Sequence, residues 1–358
     1  MNTCTRDELW KRLAAAGLVS GDLPVAGESQ SPWPVRAMLG IAGWMGALFL
    51  LGFAGVAFSI LFRSATAALP GGAICCITAY TIFRAMPRND FVAQFGIATS
   101  IAGQALLLFG LVKLAGGQPS SGTYLLMAAI EVVLALAVPN YIHRVFTTVA
   151  ANFYFWIASA IVGVPALATA VAAVGFALVW LGQVQMAARP SLWEPLGYGF
   201  AIALLQLDGS LMIGPEFWRM LLPSDARQPH FLLWTGPVVT GLVFVYVVWV
   251  LRERAGVEPD STGSILTVAA AVVLALCGLA APGISAAILV LALGFANADR
   301  LLMGIGLLAF GGYLSHFYYQ LSSTLLMKSI ILAGTGVALL GLRWTIERFL
   351  PAEESSNA

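Results

Sequence analysis

The run VFTTVAANFYFWIASAIVGVPALATAVAAVGFALVWLGQVQ, residues 145–185, decides the fold class. It contains no acidic or basic side chain, and Gly163-Val164-Pro165 stands at its middle. Glycine and proline together mark a turn, so the run divides into two apolar segments, 145–163 and 166–185. A hydrocarbon core about 30 Å thick takes roughly 20 apolar residues per helix. The two segments therefore predict a pair of membrane-spanning helices.

The same reading, carried outward, predicts twelve spans: 37–62, 64–83, 92–112, 121–139, 145–163, 166–185, 194–213, 231–251, 263–281, 283–297, 300–313 and 325–343. Counting from the N-terminus places thirteen of the eighteen basic residues on one side: Arg6, Lys11, Arg12, Arg36, Arg84, Arg88, Arg144, Arg189, Arg252, Arg254, Arg300, Arg343 and Arg348. Arg63, Lys113, Arg219, Arg227 and Lys328 fall on the other. Short loops rich in Lys and Arg stay in the cytoplasm, so both termini are expected there. The stretch 283–313 is the weakest part of the count. Asn297, Asp299 and Arg300 interrupt it, which favours two short spans, with a re-entrant pair as the competitor.

Composition supports the class. Hydrophobic residues make up 59% of the chain and charged ones 10%, against about 45–50% and about 25% in soluble domains. Hydrocarbon offers no partner to an unpaired backbone amide, so spanning segments are helices or closed barrels. The long continuous runs exclude the alternating pattern of a barrel. The expectation is an all-α polytopic bundle with short loops. Its divisions are a cytoplasmic helix and linker at 1–36, a transmembrane domain at 37–346 and a cytoplasmic tail at 347–358. A net charge of +1 gives no electrostatic case for nucleic acid.

No secretory h-region is visible in the first 36 residues. Thr5-Arg6-Asp7-Glu8 has the capping-box form, and Leu9, Trp10 and Leu13 follow at helical spacing. A short amphipathic helix ending at Gly17 is expected, lying on the membrane surface or on the bundle. Tryptophans near span ends (Trp33, Trp193, Trp234, Trp249, Trp344) suit an interfacial belt. Small residues four apart, such as Ala168 and Ala172, suit close helix packing.

Three ionisable residues lie in or near the predicted hydrocarbon. Glu131 sits mid-span, where a charged residue costs about 2.5–3.5 kcal/mol on insertion scales and usually faces a cavity or a partner. It reads either as a coupling or binding carboxylate or as a protonated side chain hydrogen-bonded to a neighbouring helix. Asp208, near the far end of its span, is expected to be interfacial and hydrated. Lys328 begins the last span and is expected to snorkel outward; it is also the candidate basic partner of Glu131 within the membrane. The polar run Ser315–Gln320, with His316, Tyr318 and Tyr319, is either a periplasmic vestibule or an aromatic belt with a loop.

Enzyme and metal signatures are absent from this reading. His230 and His316 are predicted on one side and His143 on the other, so they cannot share a metal. Cys4, Cys75, Cys76 and Cys277 show no zinc or disulfide spacing. Gly283-Ile-Ser285 with His316 downstream echoes a Ser–His arrangement, but Gly-x-Ser is too common in apolar helices to carry it. No cofactor is expected.

The run Tyr318-Tyr319-Gln320-Leu321, continuing through Leu325-Leu326-Met327-Lys328-Ser329 into Gly334–Gly341 and Leu342-Arg343, resembles the C-terminus of an uncharacterised bacterial family of polytopic membrane proteins. The N-terminal Ala15-Ala16-Gly17-Leu18-Val19-Ser20 is similar to theirs too. The resemblance implies a bacterial inner membrane and, as partner, a neighbouring membrane protein with an extracytoplasmic part. It implies no activity. Two functions follow as expectations. The favoured one is a non-catalytic scaffold or assembly subunit, because twelve spans show few intramembrane polar residues. The alternative is a transporter-like protein for a small solute or lipid-linked molecule, using Glu131.

Overall fold

The structure, a computed structural model, describes residues 6–15, single positions between 38 and 52, and residues 64–86, 89–210, 235–258, 261–280 and 283–320. Every regular element among these residues is a helix. In chain order they are α1 (Arg6–Ala15), α2 (Ala65–Ala85), α3 (Asp90–Leu114), α4 (Ser121–Ala137), α5 (Tyr141–Ile161), α6 (Ala166–Leu181), the single turn α7 (Gln183–Met186), α8 (Pro190–Gly209), α9 (Thr235–Arg254), α10 (Thr262–Ala280), α11 (Ile284–Ala296) and α12 (Arg300–Gln320). From α2 onward, α7 apart, each stands where a span was predicted. The predicted spans 37–62 and 325–343 fall largely or wholly outside the described residues.

Local chemistry places the boundaries. The first amides of a helix have no partner within it, and short polar side chains supply one. Asn89 Oδ1 accepts from Val92 N–H (3.1 Å) ahead of α3, and Asn140 Oδ1 accepts from His143 N–H (2.9 Å) ahead of α5. Pro139, which disfavours a helical residue before it, ends α4 and leaves Asn140 free to start the next helix. Between α5 and α6, Gly163 adopts φ 84°, a conformation open to a residue without Cβ. That is the turn expected in the middle of residues 145–185. Between α11 and α12, Ala298 has φ 53° and Asp299 Oδ1 accepts from Leu302 N–H (2.8 Å).

The interior is built mainly from α5, α6, α8, α9 and α11. Phe176, Leu204, Val247, Leu289 and Leu293 are fully buried there. A smaller core joins Ala79 and Phe83 of α2 to Ile97 of α3 and Val138. The α2–α3 hairpin crosses at glycines. A Cβ on Gly72 would lie 2.7 Å from the carbonyl oxygen of Gly103, and one on Gly103 would lie 2.8 Å from that of Gly72.

The outer surface is apolar. Ile74, Ile77, Leu125, Leu242, Leu276 and Leu308 all point outward and are more than half exposed or close to it. Water would penalise apolar faces of that extent, whereas lipid would not. Among the described residues, four helices are long and apolar enough to cross a membrane: Ala65–Ala85, Phe91–Leu114, Thr235–Arg254 and Arg300–Tyr319. Shorter apolar helices accompany them at Ser121–Ala137, Ala166–Leu181, Thr262–Leu276 and Ile284–Ala296. These features mark a membrane protein.

Candidate intramembrane polar site

Residues four apart lie on one face of a helix. In α4 the inward stripe is Met127, Glu131 and Ala135, all buried, while Val132, Val133 and Leu136 face outward. Glu131 is thus turned away from the outer surface and is 0% exposed. Neither carboxyl oxygen has a hydrogen-bond partner among the described residues. Cys76 of α2 and Tyr154 of α5 are its electrostatic neighbours, which places the carboxyl where α2, α4 and α5 meet.

The same part of the bundle holds a polar ladder. Ser100 Oγ of α3 lies 2.8 Å from Nε2 of His143 in α5, and Gln104 Nε2 donates to Ser100 Oγ at 3.2 Å. Ser100 Oγ, with one proton and two lone pairs, can donate to Nε2 or accept from it, and Nδ1 has no hydrogen-bond partner among the described residues. The Cys76 thiol points at the Ser100 carbonyl (3.9 Å), and Phe83 meets the imidazole edge to face. Further along α5, Thr147 donates to the His143 carbonyl, Thr148 to that of Arg144, and Asn152 to that of Thr148. Asn152 Oδ1 remains unpaired among the described residues.

Buried polar groups are almost always satisfied. Here a carboxyl, an imidazole nitrogen and an amide oxygen are not. Two grooves reach this region. One of about 400 Å³ between α3 and α5 is lined by Gln104 and Tyr154. The other, about 490 Å³, is lined by Thr148, Asn152, Trp193 and Phe200 among others.

Asp208 requires a correction. It was expected to be interfacial and hydrated, but it is 1% exposed and its Oδ2 has no partner among the described residues. It occupies the last turn of α8 on the face carrying the buried Leu204 and Leu205. The first turn of α9 and Thr169 of α6 close over it. The Thr240 hydroxyl of α9 donates to the Gly236 carbonyl (3.2 Å) and stands near the carboxyl. Tyr313 of α12 stands against Gly209 and donates to the Leu205 carbonyl.

Of the two readings of the run at 315–320, the loop is overturned, because the run continues α12. His316 is half-buried, Tyr319 is 78% exposed, and the Tyr318 and Tyr319 rings meet edge to face at 5.5 Å. Lys328, and with it the pairing to Glu131, lies outside the described residues. Sequence reasoning overlooked Ser100, Gln104, His143 and Asn152 as members of a site. Their signal was the helical spacing Ser100/Gln104 and His143/Thr147. Among the described residues no three His, Cys, Asp or Glu side chains gather to hold a metal.

A ring of polar ties closes one end of the bundle. Tyr141 donates to Glu194 (3.1 Å), Arg144 to the Ala135 and Ser191 carbonyls, and Tyr198 to Asp299 (2.7 Å). Burial, and after it the neighbouring Glu194 carboxylate, pushes the Tyr141 phenol up. Arg254 donates to the Leu181 carbonyl and Arg252 to Ser264.

The chain belongs to the family described as Domain of unknown function (DUF4401), which matches residues 32–349. This is an uncharacterised family, as the resemblance at the chain's two ends implied. No curated protein and no solved structure matches the chain.

Proposed function

We propose that this family member is a multi-pass protein of a bacterial inner membrane that moves a small solute or lipid-linked molecule together with a proton. Glu131 is the group that takes and releases the proton. The observation that carries this reading is a fully buried carboxyl with no partner on either oxygen among the described residues, beside a His–Ser–Gln ladder. A permanent charge there would need a partner, and a permanently protonated acid would normally find a hydrogen bond. A carboxyl with neither suits alternation between two states. Scarcity of intramembrane polar groups motivated the scaffold reading, and the buried Ser100, Gln104, His143 and Asn152 remove that motive.

Twelve crossings with cytoplasmic termini complete the proposal. The polar ties between Tyr141 and Glu194, Tyr198 and Asp299, and Arg254 and Leu181 support it. They join loop ends that the count of spans assigned to the same side.

The test uses a strain whose growth depends on the protein. Glu131→Gln keeps the shape of the side chain and removes the exchangeable acid proton. It is expected to insert at normal abundance and to lose function. Treatment with dicyclohexylcarbodiimide, which attacks protonated carboxyls in apolar surroundings, is expected to modify Glu131, located by mass spectrometry. Full function of Glu131→Gln at normal abundance would sink the proposal.

A further inference from the structure

We infer that Asp208 is the core of a second site, one that binds a sodium ion. The inference does not depend on the role of Glu131.

Four helices converge on the Asp208 carboxyl. It hangs from the last turn of α8, where the helix dipole is negative and favours a cation. Thr169 of α6 and Thr240 of α9 bring hydroxyls, and both are buried. The position that a Cβ would take on Gly236 lies 3.3 Å from Thr169 Oγ1 and 3.6 Å from Asp208 Oδ1. The missing methyl therefore leaves one space shared by both oxygens. Tyr313, whose ring packs on Gly209, covers the approach from α12. Asp208 Oδ2 itself is buried without a partner among the described residues.

The chemistry selects the ligand. The donors are carboxyl and hydroxyl oxygens, which suit hard cations. The carboxylate brings one negative charge and the hydroxyls bring none, so a monovalent ion leaves the site neutral within an apolar interior. A divalent ion would leave an uncompensated charge there. Intramembrane cation sites elsewhere also form beside helix ends. The alternative is that Asp208 only complements the first turn of α9, which needs no ion.

The experiment uses the full chain in detergent and follows thermal unfolding by tryptophan fluorescence. NaCl is varied against choline chloride at constant ionic strength. A ligand that binds only the folded state raises Tm in a saturable way. Sodium is expected to do so and choline is not. Asp208→Asn is expected to abolish the sodium response. Gly236→Ala removes no donor and fills the shared space at close to ordinary contact distance. It is expected to fold and to weaken the apparent affinity by about tenfold or more. Glu131→Gln is expected to leave the response unchanged, which separates this site from the proton carrier. Equal responses to sodium and choline overturn the inference. So does a full sodium response in Gly236→Ala, or a stabilisation that follows pH alone.

Discussion

Gly103→Ala adds one methyl where α2 and α3 touch most closely. Its Cβ would stand 2.8 Å from Cys76 Sγ, 2.8 Å from the Gly72 carbonyl oxygen and 2.9 Å from Cys75 Cβ. Ordinary contact begins at 3.4 Å, so the two helices must separate locally by roughly 0.6 Å. One of the atoms in the way is backbone and cannot swing aside. Overpacking of this kind costs about 1–3 kcal/mol, partly offset by the roughly 1 kcal/mol by which Ala exceeds Gly in helix propensity. The net expectation is a loss of up to about 2 kcal/mol. Gly304→Ala is the control: nothing lies within 4 Å of its Cβ position, so only the propensity gain remains. Reversible unfolding by dodecyl sulfate in mixed micelles measures both. Gly103→Ala is expected to unfold at lower denaturant fraction than the parent, and Gly304→Ala at equal or higher. If the two variants shift stability equally, the close crossing of α2 and α3 is wrong.

Tyr198→Phe removes a hydrogen bond to a carboxylate and is expected to cost about 1.5–3 kcal/mol in the same assay. Asp299→Ala loses that bond and the cap on α12, so it is expected to cost more than Tyr198→Phe. Ser100→Ala strands both His143 Nε2 and Gln104 Nε2, with an expected loss of about 1–3 kcal/mol; an unchanged midpoint would dissolve the ladder. Reporter fusions after residues 90, 144, 190 and 256 and at the C-terminus are expected to report cytoplasm, and one near 224 periplasm. A periplasmic C-terminus would mean an odd number of crossings.

Hydropathy and turn residues located the helices because both act within a few neighbours. Gly163 and Pro165 divide residues 145–185 whatever surrounds them. Boundaries were less legible. α5 begins at Tyr141, four residues before its apolar run, because Asn140 caps it there. α12 runs on to Gln320, since the polar residues from Ser315 onward contain nothing that breaks a helix. Glu131 stood out in the sequence because a mid-span acid is costly wherever its helix packs. Ser100, Gln104 and Asn152 did not, because a hydroxyl or amide in a span becomes part of a site only through the helix that faces it. Asp208 was misplaced for the same reason. Distance from the end of a span says little when another helix, α9, begins directly over that end.

The shortness of α11 has an electrical consequence. Its thirteen residues extend about 20 Å, against roughly 30 Å for the hydrocarbon core, and its sides are shielded by α9, α6 and α12. If α11 crosses the bilayer with water at both of its ends, the two aqueous phases stand closer together there than across the surrounding lipid. A given membrane voltage then falls over a shorter path, and the field beside α11 is about half as strong again as in the lipid. One elementary charge moved across 100 mV gains about 2.3 kcal/mol in total. Near α11 that work is spread over about 20 Å instead of about 30 Å, so each ångström of charge displacement there gains about half as much again as in the lipid.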